Sequence, residues 1–421
     1  MFSNFSSVSN RWLLVAAGVS YLILSLCFHL FSYVVIDSWA LNSTIGNVYW
    51  GLCLVYLSCL LVMVNLLALP GNNPSYILLP YVLVAVLILV SLINLLRLDY
   101  SRSAITLGSI LVFVLAYSSF MFLKAKQRLQ YAVLPFGFHK EVLALDSEQL
   151  IAITAPEWPT QRVDGLIVDG TALINNDMAP QWQRFVAQAL AGGMHVLNSV
   201  HTYESLTGKS PLEHYGEFSF GELKPSDLYI GLKRFIESVL ILLTAPLSAI
   251  LLLLTMIAIK LDSKGPIFFT QQRVGKGGKV FTMYKLRSMA VGADTRGAQF
   301  ASAGDVRVTR VGKVIRKLRI DEIPQLINVL KGDMALVGPR PEQASFVARF
   351  EEDIPMYSFR HVVRPGITGW AQVVQGYADD DDSTREKLSY DFYYVKNIGV
   401  WLDFLVVLKT IKTILTGFGA R

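Results

Sequence analysis

Apolar residues gather in the first third of the chain in four runs: roughly Trp12–Val35, Val48–Leu69, Ile77–Leu95 and Ala104–Leu123. Each is long enough to cross a bilayer as a helix, which takes about 20 residues. The first is too long for a removable signal peptide and lacks a small-residue cleavage site. Polar positions between the runs give an orientation. The loops Asp37–Asn47 and Gly71–Ser75 carry no Lys or Arg, whereas Lys124, Lys126 and Arg128 crowd the end of the fourth run. Arg97 and Arg102 in the third loop pull weakly the other way. Positive charge is retained on the cytoplasmic side, so the N-terminus and everything after Lys124 are expected there.

From about Gln127 to Asp227 the pattern becomes that of a small water-soluble domain. GLIVD (Gly165–Asp169) reads as a buried strand. Pro180 then opens a helical pattern with Phe185 and Leu190 on its apolar side and Gly192-Gly193 as its stop, and MHVLN (Met194–Asn198) follows as a second strand. This βαβ order predicts a small Rossmann-like sheet. A dinucleotide site would need G-x-G-x-x-G after a strand, and AVLPFGFHKE supplies none, so a structural or regulatory module without nucleotide is expected.

A fifth apolar run lies between Lys233-Arg234 and Lys260, with Pro246 near its middle. Its length suits a transmembrane helix, but both flanks are basic and Pro246 removes a backbone donor where a kink is expected. A crossing would separate the middle and C-terminal domains. A re-entrant helix over 233–260, broken at Pro246, keeps them together and is the favoured reading.

Beyond Lys260, FFTQQRVGKGGKVFTMYKLRSM alternates as a hairpin around Gly275–Gly278, its arms carrying Arg273, Lys285 and Arg287. The last two alternate in phase and should share a face. The glycines lack the G-x-x-x-x-G-K-[ST] order of a phosphate loop and serve the turn. TRVGKVIRKLRIDE predicts an amphipathic helix with Val311, Ile315 and Leu318 inward. Asp321 then reads as the N-cap of a short helix with Pro324 in its first turn and Gly332 at its end. Asp321-Glu322 beside Arg316, Lys317 and Arg319 is either a surface ion-pair cluster or a site for something more anionic than the carboxylates. With cations near, Asp321 is expected to stay ionised and could act on phosphorus as a nucleophile, while Glu322 helps hold Mg²⁺. Gly338-Pro-Arg-Pro341 stiffens the loop bearing Arg340, suited to a diphosphate.

Composition refines this picture. Of 421 residues 53% are hydrophobic, too many for an ordinary soluble protein, and net charge is +6. That surplus suits anionic headgroups or phosphate-bearing substrates better than nucleic acid, for which no basic-aromatic stripe stands out. Cys27, Cys53 and Cys59 all lie in membrane runs without metal spacing and read as apolar packers. The run Asp379–Asp382 reads as a solvated loop, and His361 as structural. The C-terminal stripe Leu405, Leu408, Ile411, Ile414, with Lys409 and Lys412 near it, fits an interfacial helix or a core-packing one.

QQRVGKGGKVFTMYKLRSM, TRVGKVIRKLRIDEIPQLINVLKGDMALVGPRP, RHVVRPGITGWAQV and YDFYYV together resemble the bacterial sugar transferase family, the monotopic polyprenyl-phosphate phosphoglycosyltransferases, over roughly Ser226 to Arg421. The upstream part resembles the larger undecaprenyl-phosphate galactose or glucose phosphotransferases. The resemblance implies an α+β membrane protein of three domains. These are a four-helix transmembrane bundle (1–126), a small Rossmann-like α/β domain (127–225) and a mixed α/β catalytic domain (226–421) on the cytoplasmic face of the bacterial inner membrane. It implies that Asp321 takes a phosphosugar from a UDP-sugar with release of UMP, then passes it to undecaprenyl phosphate, starting exopolysaccharide, capsule or O-antigen assembly. Direct glycosyl transfer with release of UDP is the alternative. Glu322 and Asp321 would serve Mg²⁺. Lys285, Arg287, Arg316, Arg340 and Arg273 would bind substrate phosphate, and Pro246 would break the membrane helix. Inner-membrane lipids and a second copy of the chain are the implied partners. Leu286, Ile320 and Ala335 depart mildly from the family pattern and touch no charged role.

Overall fold

The computed structural model describes residues 10–67, 74–126, 130–145, 148–175, 177–212, 225–290, 307–354, 356–376 and 381–416. Helices dominate a mixed α+β chain that forms two compact units, Met1–Gly208 and Lys209–Arg421.

The first unit begins with four long apolar helices, α1 (Asn10–Ile36), α2 (Ser43–Leu67), α3 (Pro74–Leu95) and α4 (Arg102–Lys126). They pack on one another around Leu24, Phe28, Leu52, Cys59 and Leu115. Gly108 permits this approach, since a Cβ there would overlap Leu52 and Phe28. The opposite faces are apolar as well, with Leu22, Leu26, Leu57 and Leu87 largely exposed. Helices that are apolar all round belong in lipid. Cys53 and Cys59 are packed inside, whereas Cys27 lies on an exposed face rather than in the core.

The same unit continues through β1 (Tyr131–Val133), α5 (His139–Leu143), β2 (Leu150–Ala152), β3 (Gly165–Val168), α6 (Gly170–Ile174), α7 (Pro180–Ala191), β4 (His195–Asn198) and α8 (Ser199–Thr207). The strands are parallel in the order β2-β1-β3-β4. The expected β-α-β segment is β3–α7–β4, and the fully buried β3 accounts for its unbroken apolar run. Helix α7 buries Trp182, Phe185, Val186 and Ala189, at spacings of three and four. Leu190, expected inward, sits one residue past that stripe and is exposed. The chain crosses over between β1 and β3, where an open α/β sheet leaves a crevice at its strand ends. Here Asp169 fills that position. Its carboxylate accepts the Phe138 N–H (2.7 Å), the Ala172 N–H (3.0 Å) and the Thr171 hydroxyl (2.5 Å). Gly137, at φ +53°, leaves no room for a side chain beside it.

The second unit opens with α9 (Asp227–Asp262), then the antiparallel hairpin β5 (Phe268–Val274) and β6 (Val280–Leu286). Next come α10 (Arg310–Lys317), a 3-10 segment over Ile320–Gln325, α11 (Leu326–Lys331) and β7 (Ala335–Val337). After α12 (Ala344–Asp353), β8 (Gly366–Thr368) pairs in parallel with β7. Helices α13 (Trp370–Val374), α14 (Asp381–Lys396) and α15 (Val400–Thr416) close the chain.

Helix α9 runs continuously through Pro246, so the expected break does not interrupt the helix. Both of its ends rest on the same body. Near the start, Lys233 donates to the Val337 carbonyl (2.7 Å) and pairs with Asp403 (2.6 Å), while Glu237 accepts the Leu336 N–H (3.0 Å). At the far end Asp262 accepts the Val311 N–H (3.0 Å), and Leu252, Met256 and Ile259 pack with Leu286 and Ile315. Between these anchors Leu242, Leu243, Leu247 and Ile250 stand exposed.

Two further expectations change. Leu318 is exposed, because α10 ends at Lys317 and the chain turns before that side chain can join Ile315 in the core. In α15, Leu405 and Leu408 are buried with Leu402 and Val406, whereas Ile411 and Ile414 are exposed. The supposed single stripe is thus a core-packing half followed by an outward half. Asp379 and Asp380 lie outside the described residues, and Asp381 and Asp382 belong to α14 rather than a loop.

Candidate active site

Three segments converge on the acidic pair. Strand β6 brings Lys285, the 3-10 segment carries Asp321 and Glu322, and the loop after β7 carries Arg340. Asn328, completely buried on α11, holds the first two together. Its side chain accepts the Tyr284 N–H (3.2 Å) and donates to the Thr282 carbonyl (2.8 Å), so the backbone flanking Lys285 is fixed against the dyad helix. Asp321 is not the N-cap expected from its residue type. Arg319 takes that position with left-handed backbone (φ 57°, ψ 21°), and both carboxylates fall inside the first turn. A bulky residue held in this region is uncommon and costs on the order of 1 kcal/mol or more, as at many functional sites. Gly332, at φ +91°, does end α11.

The loop bearing Arg340 is fixed by close backbone approach. Gly338 donates to the Thr368 carbonyl and Gly366 to that of Pro339, both at 2.8 Å, and a Cβ on either glycine would strike the other loop's backbone. Arg360 donates to the Arg340 carbonyl (2.9 Å) and pairs with Asp391 (2.7 Å), bracing the same loop from beneath.

One carboxylate oxygen gathers three cations. Glu322 Oε1 lies 3.2 Å from Lys285 Nζ, 3.3 Å from Arg340 and 3.5 Å from Arg319. Burial alone would raise the pKa of Glu322, but Lys285, Arg340 and Arg319 outweigh it and bring it down to about 2. Asp321 is the opposite case. Burial and then the Glu322 charge push it up, Lys285, Arg319 and Arg316 oppose them, and it ends at about 6. Its Oδ1 is buried without a hydrogen-bond partner. The acid expected to stay firmly ionised therefore holds its proton more tightly than an ordinary Asp. Adjacent side chains have been given opposite characters, a fixed anion and a basic, unpartnered oxygen.

The remaining basic residues divide. Arg316 reaches Asp321 through its charge. Arg273 donates to the Pro341 carbonyl (3.0 Å) and to Gln271, steadying the Arg340 loop. Arg287 does not share the site with Lys285. It turns to the end of α9 and donates to the carbonyls of Ser263 (2.8 Å) and Lys264 (2.9 Å). The twist of the strand and those two open carbonyls draw it away. Arg319 was legible only as one of several cations upstream of the dyad, since nothing in its residue type announces a left-handed corner. His361 is buried, and burial with the Arg360 charge lowers its pKa to about 4, which leaves it neutral near pH 7.

Chemically the cluster holds more positive than negative charge around a buried, unengaged carboxylate oxygen, which suits a multiply charged phosphate ester. No group of three His, Cys, Asp or Glu side chains gathers among the described residues. Two carboxylates are nevertheless what Mg²⁺ takes from a protein when phosphate oxygens supply the rest, so Asp321 and Glu322 fit an ion that arrives with a diphosphate.

Residues 228–417 match the family model described as bacterial sugar transferase. A protein of Aeromonas hydrophila, named UDP-N-acetylgalactosamine-undecaprenyl-phosphate N-acetylgalactosaminephosphotransferase, is 43% identical over 89% of this chain and 88% of its own length. A UDP-glucose:undecaprenyl-phosphate glucose-1-phosphate transferase of Caulobacter vibrioides is 43% identical over 44% of this chain and 70% of its own. The Escherichia coli protein of that same name is 38% identical over 43% of this chain and 39% of its own.

Proposed function

The chain belongs to the bacterial sugar transferase family, and from that premise we propose that it moves a sugar-1-phosphate from a UDP-sugar to undecaprenyl phosphate through a covalent intermediate on Asp321. The observation that carries this reading is the split between the two carboxylates. Glu322 is spent on Lys285, Arg319 and Arg340, whereas Asp321 is more basic and has an unpartnered oxygen.

In the first half-reaction an Asp321 oxygen attacks the phosphorus bearing the sugar. The Asp–O–P bond forms as the bond to the bridging oxygen breaks, and that oxygen leaves with the electron pair as part of UMP. In the second, a phosphate oxygen of undecaprenyl phosphate attacks the same phosphorus. The acyl-phosphate bond then breaks, giving the lipid diphosphate sugar and restoring the Asp321 carboxylate. Lys285, Arg319 and Arg340 hold the diphosphate and meet the charge gathering on the leaving phosphate, with Glu322 keeping them aligned. Arg316 favours the ionised nucleophile. Mg²⁺ held by Asp321 and Glu322 would supply further neutralisation of the diphosphate.

Membrane placement follows the same reading. The four apolar helices of the first unit are transmembrane spans, and α9 dips into the inner leaflet rather than crossing, because both its ends rest on the same polar body. The catalytic unit then faces the cytoplasm at the bacterial inner membrane, where soluble UDP-sugar and lipid phosphate meet. Inner-membrane lipids and a second copy of the chain complete the partners; nucleic acid is not among them. UDP-N-acetylgalactosamine is the first donor to test, since the relative named for it matches along both units.

The test is nucleotide release by purified protein with Mg²⁺, undecaprenyl phosphate and a UDP-sugar panel led by UDP-N-acetylgalactosamine and UDP-glucose. UMP release that falls at least ~10³-fold in Asp321→Asn is the expected result. Release of UDP instead would overturn the mechanism.

A further inference from the structure

The Arg364-Pro-Gly-Ile-Thr-Gly loop takes no part in the site above beyond its backbone, yet its arginine lines a cavity in the second unit. This cavity, about 260 Å³, lies at the start of α9, and its lining includes Arg234, Arg364 and Lys276. Its apolar wall includes Ile230, Val362 and Val363. Among the described residues none of the three basic side chains is ion-paired or hydrogen-bonded to the protein. The acidic members of the wall do not cancel them. Glu237 is occupied with Lys233 and the N–H groups of Leu336 and Val337, and Asp227 lies at the first turn of the helix, where the dipole favours it.

The two guanidinium groups repel one another. Burial first, and the Arg234 charge second, lower the proton affinity of Arg364, and the opposing Glu237 charge does not restore it. A protein tolerates such a pair where an anion joins it. The surroundings say what else the anion carries. On both sides of Arg234 the surface of α9 is an exposed apolar stripe, from Leu228 and Leu232 through Phe235, Ile236, Val239 and Leu240. A free nucleotide would gain nothing from that stripe, whereas a hydrocarbon chain would lie along it.

We propose that this cavity binds the phosphate headgroup of a membrane lipid, with Arg234, Arg364 and Lys276 as its cationic wall and the lipid chain laid against the exposed face of α9. The site is distinct from the Glu322 cluster, and it rests on the membrane placement of α9 proposed above, not on the covalent chemistry. The lipid is either the polyprenyl phosphate acceptor, waiting beside the catalytic unit, or an anionic phospholipid that pins the helix to the bilayer. Both offer the same phosphate and hydrocarbon.

Native mass spectrometry of the detergent-purified full chain separates the outcomes, titrating undecaprenyl phosphate, phosphatidylglycerol and phosphatidylcholine in turn. Wild type should retain one anionic lipid in preference to phosphatidylcholine. The double variant R234Q/R364Q should weaken that retention by roughly tenfold or more, and Lys276→Gln, an exposed side chain without packing, by about threefold. Melting temperature serves as the folding control, and R234K/R364K, which keeps the charges, should recover part of the binding. Loss confined to undecaprenyl phosphate identifies the acceptor, and loss confined to phosphatidylglycerol identifies a bilayer lipid. Equal retention of both by wild type and by well-folded Gln variants overturns the proposal. Asp321→Asn should bind lipid as wild type does. If wild type also released no UMP while lipid retention still depended on Arg234 and Arg364, the covalent mechanism would fail and the headgroup site would stand.

Discussion

The second unit contains two buried ion clusters built from the same kinds of side chain. Around Arg360, pairing is balanced between the two carboxylates. Its guanidinium meets Asp391 at 2.7 Å and Glu342 at 3.8 Å, and Lys387 and Arg273 pair with that same Glu342. Around Glu322 it is not, since three cations share one carboxylate oxygen and the second carboxylate, Asp321, leaves Oδ1 unpartnered. A cluster with both carboxylates paired fixes the chain around it. An unbalanced one is complete only when something anionic arrives. Arg360 supports the Arg340 loop through the Arg340 carbonyl, whereas the Arg340 side chain at the loop's tip reaches into the unbalanced group.

That contrast can be broken most forcefully at its balanced end. Arg360→Met leaves Asp391 and Glu342 buried with less compensation and should cost about 3–5 kcal/mol of stability, read as a large fall in denaturant midpoint. At the unbalanced end, Arg340→Met leaves Glu322 two other cations. Stability should change by about 1 kcal/mol or less, while UMP release falls roughly 10²-fold. A large melting shift in Arg340→Met with proportionate activity loss would erase the distinction.

The smallest effect is the most diagnostic. Asp321 is raised from its ordinary value of 3.8 to about 6. Its folded form holds the proton more tightly than the unfolded chain does, so the carboxyl favours folding below about pH 4 and that contribution is lost as pH rises through about 6. Asp321→Asn should therefore match wild type in melting temperature near pH 4. Above pH 6 it should be more stable by on the order of 2 kcal/mol. In wild type, kcat/KM should rise with pH through an apparent pKa near 6, since only the carboxylate attacks. A flat profile together with an unstabilised Asn variant would mean that Asp321 is an ordinary acid.

Much of this molecule is legible along the chain because lipid and periodicity leave plain marks. The apolar runs became α1–α4, and the alternation around Gly275–Gly278 became the β5–β6 hairpin, since those patterns depend on near neighbours alone. Helix α7 shows where this ends: its existence was legible, but its inward face ran through Ala189 rather than Leu190, one residue away. The three-residue strands β1 and β2 carry too little pattern to be seen, and only pairing with β3 defines them.

The acidic pair, the basic residues around it and the stiff Arg340 loop were determined by sequence alone, because residue type and short-range spacing carry charge and backbone restriction directly. Tertiary structure decided the division of labour. It sent Arg287 to the carbonyls ending α9, drew Arg319 to Glu322 through a left-handed corner, and set both ends of α9 on one body. It also divided Asp321 from Glu322. Proton affinity depends on which charges lie within a few ångströms and on how much water is excluded, and those distances exist only once β6, the dyad turn and the Arg340 loop have met.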